Sequence, residues 1–513
     1  MPKTPSDKLY QLVHALSSSE KRYFKVTAGQ QSGKDNKYLR LFEAIDAQEQ
    51  FDDSALKTAI YGKREIQSRK YSELKAYLYD MILKSLQAYD EKSSVAYRLK
   101  HLLLSVRVLF RRSRFDDCKP LLAKARRLAQ QYERFNTLLE ILEWEKQIAY
   151  TEANVDYLNQ ELERIAAEEK RTLERLQTIV AYRNTFFRLL VLTRKGRMGS
   201  TKNGQRLEHL IETPLLKEFS MADSHQAKVL YFRALSIYHF AKSDWPAFYK
   251  YSKELVALIE SQPDFLKEDV SEYIATVSNL IVSCFTLKKY DEIETLLEKL
   301  GSIRALTQDD ELKIHRQYYQ SKFSLCITTG QFEEGYRALQ THFKRVKRFH
   351  QTPFRTNSFY LFYFYISFGA EQYEEALDYL NEWLDLETTI ERPYLQGAAR
   401  LLNLIIHFEL GNYELLESLL RSTYRWMKKH DKLHELERLT IGFIKQALEA
   451  PSRRELQAAY QSLKAELADR SQQQQTKAFF TQVFDMIAWL DSKMENKTFA
   501  EVIRQKYQLS ASE

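Results

Sequence analysis

Glycine and proline are scarce in this chain. Of its 513 residues, 13 are Gly and 9 are Pro, which is about 4% together against a usual share of about 12%. Because β-strands are joined by turns that need these two residues, a sandwich, a barrel or a doubly wound sheet of this length would need many more. The scarcity excludes most β-containing folds and predicts long helices joined by short turns.

Cysteine and long apolar runs are scarce as well. Cys118, Cys284 and Cys326 lie far apart and form no CxxC or zinc-finger spacing. The longest uncharged apolar run, 359–368, is far shorter than the ~20 residues that span a bilayer. The amino-terminal residues also lack the apolar core of a signal peptide. We therefore expect a reduced, soluble cytoplasmic protein with no membrane partner.

Positive charge is concentrated in one segment. The net charge of +8 comes from 77 basic and 69 acidic residues, and residues 96–130 alone hold 10 basic and 2 acidic side chains. Two interpretations stay open: a patch that binds an acidic partner, a phosphorylated ligand or nucleic acid, or a face that acids of neighbouring helices compensate. The candidate partner contacts in this segment are Arg107, Arg111, Arg112, Arg114, Lys124, Arg126 and Arg127.

An aromatic residue followed by acidic residues recurs along the chain, each time opening a helical pattern. In the middle of the chain the aromatic residues are Trp245, Tyr290, Phe332, Tyr373 and Tyr413, with spacings of 45, 42, 41 and 40 residues. At Trp245 the acid, Asp244, precedes the aromatic residue. Each period holds two helical patterns, such as 309–327 followed by 332–349. One such hairpin cannot bury its apolar face alone, so the units must stack.

The same period extends toward both ends of the chain. An earlier copy opens at Phe115, and extrapolation places further helix starts near Tyr157, Lys202, Arg454 and Phe499. No aromatic residue stands at the expected place near Lys202. A Gly-rich basic segment, 196–204, lies there instead, and it is interpreted either as a ligand-contacting loop or as a tolerated insertion.

The recurring motif resembles that of tetratricopeptide repeats (TPR). In that family the second helix opens with an aromatic residue, acids, and a small residue three positions after the aromatic, which Gly335 and Ala376 match. Ile293 and Leu416 depart from this pattern, and the period of about 42 exceeds the family's usual length. The resemblance implies an all-α, TPR-like α-solenoid of longer hairpins, which we assign to residues 96–513.

Residues 1–95 do not follow the period, and we assign them to a separate amino-terminal helical domain. Ser17 and Glu20 predict a capping box, and Asp52 or Asp53 caps a short helix that stops at Gly62. A longer helix follows, with an apolar stripe that includes Leu74, Leu78 and Ile82. This region looks similar to the start of uncharacterised bacterial helical-repeat proteins of about this length, a resemblance that implies architecture and no activity.

No catalytic or cofactor-binding pattern is present in the sequence. The segment 29–35 lacks the glycine spacing and the Ser/Thr of a phosphate-binding loop. His430 and His434 stand four apart, but a metal site needs further ligands, and the segment that holds them reads as a break between helices. We therefore predict no enzyme, no cofactor and no metal site.

The aromatic segment 359–368 is apolar all round, which is typical of a helix packed between two neighbours. Tyr360 and Tyr363 are nevertheless candidate partner contacts, because tyrosine is a favoured anchor for peptides in a concave groove.

The leading hypothesis is a non-enzymatic scaffold or adaptor that binds a peptide or helical segment of a protein on the concave face of the solenoid. The alternative is a regulator whose amino-terminal domain contacts nucleic acid while the array senses a ligand. In that alternative the phosphate contacts come from Lys63, Arg64, Arg69 and Lys70, together with Arg111, Arg112 and Arg114.

Overall fold

The protein is all-helical in the parts that the structure describes. The computed structural model describes residues 6–31, 36–62, 68–90, 94–195, 201–349, 352–386, 394–430, 435–450, 452–469 and 483–512. Within these ranges it contains 26 α-helices and no β-strand, which confirms the all-α class. Two compact units are present: residues 1–287 with 304–311, and residues 288–303 with 312–513. The boundary predicted at residue 95 is not where this division falls, and it stays a prediction.

The first unit is built from fifteen consecutive helices among its described residues. They are α1 Lys8–Ala15, α2 Ser18–Gln31, α3 Lys37–Asp46, α4 Asp53–Tyr61, α5 Ser68–Asp90, α6 Val95–Phe110, α7 Phe115–Gln131, α8 Phe135–Thr151, α9 Val155–Lys195, α10 Thr201–Ile211, α11 Pro214–Lys217, α12 His225–Ala241, α13 Trp245–Glu260, α14 Pro263–Glu268 and α15 Val270–Thr286. From α6 to α9 each helix packs against the next, and the sequential packing continues from α9 to α12 and α13.

The remaining helices belong to the second unit, apart from the first residues of α17. They are α16 Tyr290–Ser302, α17 Gln308–Thr329, α18 Phe332–Val346, α19 Asn357–Gly369, α20 Tyr373–Leu384, α21 Tyr394–Glu409, α22 Tyr413–Lys429, α23 Glu435–Glu449, α24 Arg453–Asp469, α25 Met486–Glu495 and α26 Phe499–Ser512. From α18 to α26 each helix packs against its successor.

Helix starts in the amino-terminal region follow from local side-chain capping. Ser17 and Glu20 form the predicted capping box, in which each backbone N–H donates to the other side chain. The Asp52 carboxylate accepts from Ser54 and Ala55 at the start of α4, and α4 ends at Gly62, whose φ is 67°. Helices α1–α5 share one hydrophobic cluster around Leu41, Phe42 and Leu78.

The same type of tight turn occurs eight times along the chain, each time between two consecutive helices. In each turn a residue with φ between 50° and 73° stands two positions before the first residue of the next helix. In seven of these turns the N–H that follows this residue donates to a carbonyl five residues back, as from Arg114 to Leu109 at 3.0 Å and from Gln372 to Ser367 at 2.8 Å. This is a Schellman-type helix end. In these eight turns the residues with positive φ are Ser113, Glu133, Ala153, Ser243, Lys288, Gly330, Glu371 and Gly411.

The second unit closes on itself through its carboxyl-terminal helices. Phe499, at the start of α26, packs against Phe332 with ring centroids 5.7 Å apart. Arg504 donates to the Gly330 carbonyl at 3.0 Å and pairs with Glu333 at 2.9 Å. The segment that ends the chain therefore packs against the turn that joins α17 to α18.

The structure departs from the sequence prediction at α9. Tyr157, predicted near a helix start, lies two residues inside a helix that continues to Lys195, so one 41-residue helix occupies the span of a hairpin. Residues 201–204, interpreted as part of a loop, belong to α10, while 196–200 lie outside the described residues. The extrapolated helix starts near Tyr157, Lys202, Arg454 and Phe499 each lie within two residues of a helix start, those of α9, α10, α24 and α26.

Candidate interaction surfaces

The predicted basic contacts lie on two consecutive helices and the turn between them. Arg107 is in the last turn of α6, Arg111 and Arg112 follow it, and Arg114 immediately precedes α7. The remaining three side chains are Lys124, Arg126 and Arg127 of α7. The structure therefore places the seven side chains on one helical hairpin.

Part of this positive charge is neutralised inside the fold. Arg126 is only 18% exposed and pairs with Glu145 of α8 at 3.0 Å and with Glu168 of α9. Burial raises the pKa of Glu145, and the adjacent Arg126 opposes that rise. Arg114 pairs with Asp117. The half-buried Arg126 thus joins α7, α8 and α9, and its charge is already paired within the fold.

The other basic side chains of the segment are exposed. Arg107, Arg111, Arg112, Lys124 and Arg127 are all exposed, and none has an ion-pair partner among the described residues. Arg107, Arg111 and Arg112 stand beside an apolar strip on α6, because Leu104 is 62% and Val108 is 49% exposed. We call Leu104, Arg107, Val108, Arg111 and Arg112 the α6 face. It combines exposed apolar and positively charged groups on one helix end.

The two predicted tyrosines are core residues of the second unit. Tyr360 is 4% exposed and donates to Glu382 at 2.7 Å, and Tyr363 is 3% exposed. Neither ring is accessible to a partner in this conformation, because α19 packs against both α18 and α20. The interpretation of 359–368 as a helix packed between neighbours fits this position.

Tyr363 belongs to a buried chain of polar groups that sequence spacing did not indicate. Its hydroxyl lies 2.7 Å from His342 Nε2, and His342 Nδ1 lies 3.0 Å from His315 Nε2. Burial lowers the pKa of His342 to about 3 and that of His315 to about 4. Both imidazoles are therefore neutral at physiological pH, and the chain links α17, α18 and α19.

A cavity of about 380 Å³ lies in the first unit, and residues of both charge signs line it. Arg233 pairs with Glu272 at 2.7 Å, and Arg134 lies 3.7 Å from Glu268. The Glu268 carboxylate also accepts the N–H of Val95 at the start of α6. Sequence reasoning missed these residues because they come from four distant segments and form no motif. Their charges balance, and the ion pairs among them join the helices that surround the cavity.

The structure also bears on the metal, membrane and phosphate-binding candidates, within the residues that it describes. Among them no group of three or more His, Cys, Asp or Glu side chains could hold a metal ion, and no helix is both long and apolar enough to cross a membrane. His434, Lys63 and Arg64 lie outside the described residues, as do 32–35 of the segment 29–35. Arg69 is described and pairs with Glu73 at 2.9 Å.

Comparison with known proteins does not assign this chain to a family. No protein-family model matches the chain, and no curated protein is detectably similar to it in sequence.

Proposed function

We propose that this protein is a non-enzymatic scaffold built from TPR-like helical hairpins, and that it binds a segment of another protein. The observation that carries the proposal is the α6 face, where exposed leucine and valine side chains stand among three exposed arginines. Isolated apolar side chains are common on surfaces, whereas apolar and charged groups combined on one helix face are typical of docking sites.

The repeated turn supports the repeat architecture in this proposal. Residues with positive φ at 243, 288, 330, 371 and 411 have the same spacing as the aromatic residues that follow them. Each turn ends one helix and starts the next within two residues, and within a unit the helix pairs α12–α13, α19–α20 and α21–α22 that such turns join pack against each other. Stacked hairpins of this kind present long surfaces that suit extended or helical ligands.

The apolar and positively charged side chains of the α6 face indicate which kind of partner segment would bind there. Leu104 and Val108 offer apolar contact one turn apart, and Arg107 and Arg111 flank them with positive charge. An amphipathic helix with acidic flanking residues matches both properties. Because α6 is the first helix of its hairpin, the proposal assigns this face to the concave side that the sequence predicts for the array.

Capture of partners from host extract tests the proposal when paired variants are used. The triple variant R107E/R111E/R112E reverses the charge of the α6 face, and K124E/R127E reverses exposed charges on α7 as a matched control. We expect the wild type and the control to retain the same acidic protein while the triple variant loses it. Equal retention by all three would contradict the assignment of the α6 face.

The same experiment distinguishes the protein-binding scaffold from the alternative, a regulator that contacts nucleic acid. If nuclease treatment of the extract removes the captured material and binding falls steeply with salt, the contacts are to phosphates and the regulator is supported. The pairing of Arg69 with Glu73 and of Arg114 with Asp117 leaves fewer groups for that role than the sequence suggested.

A further inference from the structure

One face of α9 carries exposed apolar side chains over most of its length. An α-helix turns about 100° per residue, so positions 7, 11 or 18 apart fall on nearly the same line. Six large apolar residues lie within about 40° of one another and span about 54 Å. We call them the α9 stripe: Val155, Leu162, Leu173, Val180, Phe187 and Val191, each between 42% and 70% exposed.

The α9 stripe is separate from the face that anchors α9 in the first unit. The anchoring face contains Ile165, Tyr182 and Leu189, all fully buried. The helix therefore has two apolar faces, and only one of them is covered. Single exposed apolar side chains are common on soluble proteins, whereas six large ones aligned on one face of a helix are typical of a surface that binds another molecule.

The stripe is self-complementary when a second copy of α9 runs antiparallel to the first. If Leu173 of one helix lies opposite Val180 of the other, Leu162 falls opposite Val191 in the same register. Phe187, the largest ring of the stripe, then faces Ala166, the small exposed residue on this line. Apolar residues therefore meet apolar residues at these positions, while Glu169 faces Asn184 and Val155 lies beyond the overlap of the two described helices.

Charges beside the stripe follow the same register. Glu163 and Arg188 flank the stripe on the same side, and same-side flanks face each other in an antiparallel pair. Glu163 of one helix then stands within about 3 Å, along the axis, of the position opposite Arg188 of the other. Neither side chain has an ion-pair partner among the described residues, and a two-fold axis would form the pair twice.

The carboxyl-terminal end of the stripe opens into a groove between α9 and α10. The groove has a volume of about 1070 Å³, and Phe187 and Val191 form part of its apolar wall. Arg188, Arg206 and His209 also line it, and no acidic side chain does so among the described residues. In the antiparallel register it receives the amino-terminal half of the other α9, which carries Glu163.

We propose that the α9 stripe is a homodimer interface, in which the α9 helices of two copies of this chain pack antiparallel around a two-fold axis. The proposal is independent of the scaffold function. If both hold, the dimer presents two α6 faces, which strengthens binding to a partner that carries two matching segments.

Sedimentation equilibrium of the full chain tests the dimer. We expect a mass of twice 60.8 kDa at micromolar concentration, and V180E should leave only the monomer. E163R and R188E should each weaken dimerisation about tenfold, while E163R/R188E together should restore it, because the swapped charges attract again. R171E changes an exposed charge on the opposite face of α9 and should have no effect.

Three outcomes would overturn the proposal. The first is a wild-type chain that stays monomeric at micromolar concentration. The second is a V180E variant that retains wild-type helical content by circular dichroism and still dimerises. The third is a double charge swap that dimerises more weakly than either single variant, since only the antiparallel register predicts rescue.

Discussion

The glycine that precedes α18 provides a sharp test of how the second unit is held together. Gly330 has a φ of 73°, and Gly411, at the equivalent turn before α22, has a φ of 69°. A Cβ at position 330 would stand 2.8 Å from the backbone nitrogen of Arg504 and 3.0 Å from the carbonyl oxygen of Ala500. A Cβ at position 411 would meet nothing within 4 Å.

Both alanine variants therefore carry the backbone strain of a positive φ, and only Gly330→Ala also crowds the backbone of α26. A non-glycine residue in the left-handed region costs about 1–2 kcal/mol, which applies to both Gly330→Ala and Gly411→Ala. Crowding against the α26 backbone, which cannot rotate away as a side chain can, adds about 1–3 kcal/mol in Gly330→Ala alone. We expect Gly330→Ala to lower the free energy of unfolding by more than Gly411→Ala does, with the excess coming from α26.

Urea unfolding combined with hydrogen exchange measures both parts. In Gly330→Ala the amides of α26 should exchange faster than in the wild type, while in Gly411→Ala they should keep wild-type protection. Arg504→Ala should cost less in the Gly330→Ala background than alone, because the two positions are in contact. Equal destabilisation by both glycine variants, with unchanged exchange in α26, would refute the packing of α26 on this turn.

Two further predictions follow from buried polar groups. Because burial holds the pKa of His315 and His342 below the ordinary value of 6.5, to about 4 and about 3, the unfolded chain binds more protons as pH falls. Stability should therefore be constant above about pH 6.5 and decline below it by about 1.4 kcal/mol per pH unit for each histidine. Urea titrations at pH 7 and below measure this decline; a flat profile down to pH 4.5 would contradict it. Arg126→Ala leaves the carboxylates of Glu145 and Glu168 without their shared partner and should cost about 3 kcal/mol, whereas Arg127→Ala, at an exposed neighbour, should cost no more than about 0.5 kcal/mol. Equal effects in urea unfolding would show that the Arg126 ion pairs do not stabilise the hairpin.

The helix starts could be predicted from sequence because local chemistry determines them. An aromatic residue after a turn, followed by acids, indicates the start of a helix, and the structure starts helices at Tyr290, Phe332, Tyr373 and Tyr413. It also starts one at Trp245, where the acid, Asp244, precedes the aromatic residue. The same turn before Phe135 was not predicted, since Phe135 lies only 20 residues after Phe115 and does not fit the spacing of about 42 residues. The long α9 was also missed, because nothing local distinguishes one long helix from two joined by a polar turn.

The candidate contacts were harder to predict because their environment depends on distant residues. Arg126 and Arg127 are adjacent and identical in type, yet only Arg126 reaches Glu168, 42 residues away. Tyr360 and Tyr363 are buried because α18 and α20 cover both sides of α19, which no property of the segment itself reveals. The cavity beside Arg233 could not be predicted from the sequence for the same reason, since its lining residues come from four separate segments.

Site-specific photo-crosslinking tests the proposed scaffold function most directly. A photoreactive amino acid replaces Leu104 at the centre of the α6 face, and in a control it replaces Leu306, which is 56% exposed and lies outside that face. After irradiation in host cells, we predict that the Leu104 variant is linked to a protein through an acidic amphipathic segment and that the Leu306 variant is not. Linkage to RNA or DNA at Leu104, or no linkage specific to that position, would contradict the scaffold proposal.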